Sequence, residues 1–380
     1  MRRNKFFLIG LLLGAIVLLG NGCPRGLSFQ AFLELSESGV NKYIGEFDPV
    51  VSVDVGDGWV KHTYDPDGGN GPICVAGTPY SAFTKAGNPS NLLIMLQGGG
   101  ACWQNFYFCN ILAEDQEPPP PPAGIWDSSS PDNPFADYSI VYMPYCDGSV
   151  FSGDNDVVDA SFPFGPVRFH RGLRNVTAGM DLARATFPHA SRITIAGSSA
   201  GGVGAAAFTP FLARFLYGNN RHLTVFNDAG PVAVNLADVG SVAARAADWQ
   251  FGQFYPASCT DCDPLGQATA VIQWRLDNDS TIREAFYETD ADGTNRFFTS
   301  TPTQEMYRDL ILTEHGALND AHPDRYKRFI VSGDASHTAL QSPLFYSQEV
   351  DGVPLNEWTE DFLVPTPFWV DLVEDFIPFP

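Results

Sequence analysis

Lysine is scarce in this chain, with five residues (Lys5, Lys42, Lys61, Lys85 and Lys327) in 380. Against 44 acidic side chains there are 22 basic ones, and the formal net charge is −22. A surface so poor in cations repels a phosphate backbone, which argues against nucleic acid as a partner. Internal repeats are absent, so no solenoid or propeller is expected. No Lys-Ser or Lys-Thr follows the run Gly98-Gly99-Gly100, which rules out a P-loop. Cys259-Thr260-Asp261-Cys262 has no second C-x-x-C to complete a zinc site. Asp290-Ala291-Asp292-Gly293 lacks the EF-hand spacing and reads as a plain solvated turn, calcium being the alternative. No cofactor is called for.

Long apolar runs are missing except at the start. Phe6 to Leu19 is apolar but short for a bilayer span, and Arg2, Arg3 and Lys5 precede it. It ends at Gly20-Asn21-Gly22-Cys23, small residues before a cysteine. Residues 1–22 therefore read as an export signal. Cys23 is either lipidated, as at a bacterial lipoprotein processing site, or lies just past a cleavage that releases the protein; an uncleaved anchor is the third reading. Gly20 stands where such lipoprotein sites usually carry leucine. The location expected is extracytoplasmic: an outer-membrane or cell-surface lipoprotein, or a secreted, monomeric protein. Six further cysteines suit export. They permit fifteen pairings; Cys102–Cys109 and Cys259–Cys262 would close short loops, leaving Cys74–Cys146.

Residues 23–380 read as one α/β domain, because strand and helix signals alternate. Leu92–Leu96, Tyr138–Met143, Ile193–Ala196, Leu223–Phe226, Ala270–Trp274 and Phe329–Ser332 carry strand character, while Gly172–Phe187 and Val203–Leu216 have helical spacing. Glu117–Asn133, with its proline run, reads as an exposed loop or insertion, and Gly252–Gly266 as a disulfide-tied excursion.

The most informative segment is Arg192–Gly204, RITIAGSSAGGVG. It is a β-branched run, a G-x-S-x-G turn and a small-residue helix start, the order of a nucleophile elbow. Only Ser199 has glycines two residues away on both sides, so it is the candidate nucleophile. Such a serine needs a base and the base an orienting acid, following in the order Ser, Asp or Glu, His. His337 lies just past the strand Phe329–Ser332; His315 and His322 are rivals without a strand before them. Asp277 follows the expected strand Ala270–Trp274 and is the candidate acid, with Asp279 and Asp228 as competitors. The developing oxyanion needs N–H donors. Ala200, next to the serine, supplies one, and Gly99 and Gly100 the others, with Ala101 a further candidate.

The blocks Leu96-Gln97-Gly98-Gly99-Gly100-Ala101-Cys102-Trp103, Tyr145 to Asp154 (YCDGSVFSGD), Phe169-His170-Arg171-Gly172, Ser198 to Gly202 (SSAGG) and Asn227-Asp228-Ala229-Gly230 occur in that order. In this the chain resembles the pectin acetylesterases, a family that includes the Wnt deacylase Notum, from about Cys74 to His337. The resemblance implies an α/β-hydrolase-like fold: a mainly parallel sheet flanked by helices, with loop insertions and disulfides. It also implies a Ser199–His337–Asp277 triad with Gly99, Gly100 and Ala200 as oxyanion hole. The implied substrate is an O-acetylated polysaccharide, with a lipophilic or small ester as alternative; a non-catalytic glycan-binding protein is the competing class. Three departures stand out: Ala101 replaces a tryptophan, Ser198 replaces a cysteine, and a cysteine near the histidine is Ser336 or absent. Asp147 and Asp154 are expected to brace loops. The net charge weighs against unmodified polygalacturonate unless the cleft holds arginines, for which Arg168, Arg171, Arg174 and Arg275 are candidates.

Overall fold

The computed structural model describes residues 26–65, 69–112 and 122–380. The export signal, Cys23 and the prolines up to Pro121 lie outside the described residues. Within them the chain builds one ten-stranded sheet. Its strands are β1 (Val51–Gly56), β2 (Trp59–Thr63), β3 (Ser81–Lys85), β4 (Asn88–Leu96), β5 (Tyr138–Met143), β6 (Arg192–Ser198), β7 (His222–Asp228), β8 (Arg283–Thr289), β9 (Tyr326–Val331) and β10 (Leu372–Val373). The spatial order is β1-β2-β3-β5-β4-β6-β7-β8-β9-β10. From β5 to β10 every pairing is parallel, while β1, β2 and β3 join at one edge in antiparallel fashion.

Both faces of the parallel strands are buried, and alternation within each strand divides two cores. Leu92, Ile94 and Leu96 of β4 face one core, which also holds Val176, Met180, Phe211, Leu212, Ile272 and Ile311 from the helices on that side. Leu93 and Met95 face the other, against Trp358 and Phe362 of the helix Leu355–Leu363. Apolar residues on both faces explain why these strands read as continuous hydrophobic runs. The residues at strand C-termini, where crossovers begin, are left to form a site.

Three expected elements differ. The run Val203–Leu216 is two helices, Ala200–Ala206 and Thr209–Tyr217, because Pro210 in the first turn of the second cannot continue the first. Ala270–Trp274, expected as a strand, belongs to the helix Ala270–Asn278. Its apolar run is short enough to suit either state, and burial of Val271, Ile272, Trp274, Arg275 and Leu276 follows a helical face. The strand in this part of the sheet is β8 instead, all seven residues of it buried. The expected exposed loop before Asn133 is in part a buried 3-10 turn, Gly124–Trp126, with Trp126 against Tyr142. Disulfides join Cys74–Cys146, Cys102–Cys109 and Cys259–Cys262.

Candidate active site

Ser199 sits between β6 and the helix Ala200–Ala206 with φ 56° and ψ −122°. A non-glycine residue adopts that conformation only where its surroundings enforce it. Here the surroundings are glycines in close backbone contact. A Cβ on Gly197 would lie 2.0 Å from the carbonyl oxygen of Gly201, and one on Gly201 would lie 2.1 Å from that of Leu96. Hydrogen bonding fixes the turn further, since Ser199 N donates to Asp228 O at 2.7 Å across the parallel β6–β7 pair.

The glycine run after β4 lies directly against this elbow. A Cβ on Gly98 would come within 2.9 Å of Ser199 Cβ. Gly100 has φ +75°, and a Cβ there would be 2.0 Å from Phe108 O in the hairpin formed by Gly100–Trp103 and Phe106–Cys109. Cys102–Cys109 ties that hairpin. Gly100, Ala101, Ser199 and Ala200 line one cavity, so the serine shares a space with the expected donors other than Gly99, which is not among the lining residues.

The loop that carries His337 is tied to the elbow through Asp228. The buried Asp228 carboxylate accepts from Ser198 Oγ at 2.5 Å, and from Ala339 N at 2.8 Å and Leu340 N at 3.1 Å. One side chain thus pins the loop carrying His337 to Ser198, the residue before Ser199. Burial pushes the Asp228 carboxyl up to about 6, against the opposing pull of these donors and of the nearby His337. Gln341 adds a bond to Ser198 Oγ at 3.2 Å, and Thr289 Oγ1 holds Ser336 O at 2.7 Å.

The carboxylate beside His337 is Asp292, not Asp277. His337 Nδ1 meets Asp292 Oδ2 at 2.6 Å, and Asp292 is fully buried. With Nδ1–H donated to a carboxylate, Nε2 is the free basic nitrogen. Asp292 Oδ1 accepts from Asn295 N at 2.9 Å, capping the helix Gly293–Phe298, so both oxygens are fixed. Asp277 is exposed on its helix and bonds His322 Nε2 at 3.0 Å; helix formation at 270–278 carries it to the surface. Asp279 is equally unavailable, being buried in a pair with Arg214 at 2.6 Å. The turn 290–293 is therefore neither solvated nor free, since Asp290 is buried too and pairs with Arg308. Among the described residues no group of three or more His, Cys, Asp or Glu is arranged to hold a metal.

Asp147 and Asp154 brace loops, as expected. Asp147 Oδ1 takes Ser149 N, Ser149 Oγ and Phe151 N, and Asp154 takes Tyr43, Lys42 and Arg174. Arg168, Arg171, Arg174 and Arg275 do not face a ligand; each is tied to a carboxylate, of Asp159 and Asp248, Asp156, Asp154 and Glu284 respectively. His315 is buried, stacked on Phe286, with its ring nitrogens against Tyr326 and Pro231.

The cavity beside Ser199 is about 150 Å3 and mainly apolar, with walls that include Val203, Phe208, Val232, Trp249, Phe251 and Val271. Asn295 and Arg245 also reach it, and neither carries a signal in the sequence.

Residues 64–239 match the family model described as pectinacetylesterase. Among solved structures, the Wnt deacylase Notum from Drosophila superposes with a TM-score of 0.60 at 18% identity, covering 81% of this chain and 94% of that one. At that identity the likeness establishes a common fold, the α/β-hydrolase type.

Proposed function

We propose that this chain, which belongs to the pectinacetylesterase family through its residues 64–239, is a serine carboxylester hydrolase working through Ser199, His337 and Asp292. The observation that carries the proposal is the strained Ser199 at the elbow, with the His337–Asp292 pair of 2.6 Å on a loop clamped to it. Ser199 Oγ attacks the acyl carbonyl while His337 Nε2 takes its proton. Asp292 stabilises the imidazolium that forms. The N–H groups of Ala200, Gly99 and Gly100 receive the negative charge on the carbonyl oxygen. Collapse of the tetrahedral intermediate expels the alcohol, which leaves with the proton from His337. Water then attacks the acyl-enzyme, with His337 again as base, and the carboxylic acid departs.

The cavity supports an acyl group longer than acetyl, because an apolar space of this size holds about a benzene-sized molecule. A chain of roughly six carbons fits that measure. The family match supports a second reading, removal of O-acetyl groups from a polysaccharide. The basic, apolar N-terminus and the three disulfides support export, with or without lipid on Cys23. The test is a 4-nitrophenyl ester series from acetate to long acyl chains, with Ser199→Ala alongside. An optimum at medium chains favours the first reading and a steep preference for acetate the second. Equal rates for parent and S199A would sink the catalytic assignment.

A further inference from the structure

Arg245 is a charged residue in an otherwise largely apolar wall. It projects from the helix Val239–Trp249, with its guanidinium 5.5 Å from the centre of the Trp103 ring. The arginines that the sequence offers for the cleft are neutralised by carboxylates. Arg245 makes no hydrogen bond or ion pair among the described residues. The acid whose charge acts on it is Asp238, whose own oxygens receive Ser241 N and Ser300 Oγ. Burial holds the guanidinium pKa below its usual value, yet the group stays charged at any working pH. Stacking on an aromatic ring offsets part of the desolvation, but a ring accepts none of the in-plane N–H bonds that a guanidinium can donate. A half-buried cation with no anion hydrogen-bonded to it costs stability. It is retained at little cost to a site whose ligand supplies the anion.

We propose that Arg245 is the specificity-determining residue of this site, binding a carboxylate carried by the ester so that anionic esters are hydrolysed in preference to neutral ones. The proposal rests on the hydrolase reading above and adds the chemical class of substrate. The chain's net charge of −22 does not oppose it: at physiological salt distant charges are screened over about 8 Å, and the arginine within the cavity governs. A guanidinium fork pairs with the two carboxylate oxygens, an arrangement lysine cannot reproduce.

The test compares kcat/KM for two pairs of esters. Mono-4-nitrophenyl glutarate against 4-nitrophenyl valerate carries the charge on the acyl side, and 3-carboxyphenyl acetate against phenyl acetate carries it on the alcohol side. The parent should prefer the charged member of at least one pair, and that pair identifies the side. In Arg245→Gln the charged-to-neutral ratio should fall by about 10- to 100-fold, mostly through KM; Arg245→Lys should recover part of it. Should R245Q fail to fold, the parent's ratio at rising salt and the ratio in R245K decide. A parent that never prefers the charged ester, or a ratio unmoved by the substitution, overturns the proposal. If even the neutral esters are not turned over, the hydrolase reading fails by itself. The anion site is then judged by tryptophan fluorescence, valerate against 1-pentanol: a response to valerate lost in R245Q upholds it, and an equal response in both proteins overturns it.

Discussion

Replacing Asp292 by asparagine separates the two carboxylates that compete for the role of triad acid. The asparagine side chain still accepts from Asn295 N and caps the helix Gly293–Phe298, so the local fold is retained. What disappears is the negative charge 2.6 Å from His337 Nδ1. When His337 takes the serine proton, its positive charge and the carboxylate lie about 4 Å apart, centre to centre. At an effective dielectric of 20 their attraction is about 4 kcal/mol, or roughly a thousandfold in rate. An asparagine that offers its N–H to Nδ1 also stabilises the wrong tautomer, which adds to the loss. Asp292→Asn is therefore expected to lower kcat by about 10³- to 10⁴-fold with little change in KM. Asp277→Asn removes only an exposed contact with His322, worth at most about 1 kcal/mol of stability, and should leave kcat within about twofold. The assay is steady-state hydrolysis of 4-nitrophenyl butyrate, with circular dichroism to verify folding. A D292N enzyme retaining a tenth of the parent's kcat, or a D277N enzyme losing a hundredfold, refutes the assignment.

Two further expectations follow from the packing around the elbow. Asp147 Oδ2 is buried without a hydrogen-bond partner and the carboxyl is pushed up to about 6, mainly by burial. The native state thus holds a proton that the unfolded chain releases near 3.8, so this contribution to stability is full below that pH and is lost as pH rises through 6. Asp147→Asn, which cannot ionise, should gain about 3 kcal/mol relative to the parent between pH 3 and 7.5 by denaturant titration; a difference independent of pH contradicts the reading. Gly201→Ala would place a Cβ 2.1 Å from Leu96 O, a backbone clash costing about 3 kcal/mol or more. It should abolish esterase activity and lower the melting temperature, and a variant of parental stability and rate would show that the elbow is not close-packed.

The elbow is legible in the sequence because its chemistry is local. Steric need puts glycines at 197 and 201, and β-branched residues before them announce β6. The partners of the serine are harder, since they depend on which strand lies where. β8 carries Arg283, Glu284 and Glu288, polar residues that mask a central strand. Their charges are accommodated only in three dimensions: Glu284 by Arg275, Glu288 by Tyr307 and Asn295, Arg283 over Trp369. With β8 hidden, the apolar run at 270–274 reads as the strand, and the acid is sought at its end. The usable signal is Asp292-Gly293, a helix-capping aspartate before small and polar residues, three positions past β8. His337 is visible because β9 is apolar enough to be seen. Arg245 has no sequence signal, being one arginine on an amphipathic helix whose unpaired state shows only once every neighbouring carboxylate has a partner.

Covalent acylation of Ser199 is the step on which the proposed mechanism turns. Its most direct test is intact-protein mass spectrometry after treatment with diethyl 4-nitrophenyl phosphate, followed by peptide mapping. One diethylphosphoryl group per chain is expected, located on Ser199, absent from S199A and formed far more slowly in D292N. Labelling of another residue, or an unmodified enzyme that still hydrolyses esters, would contradict it.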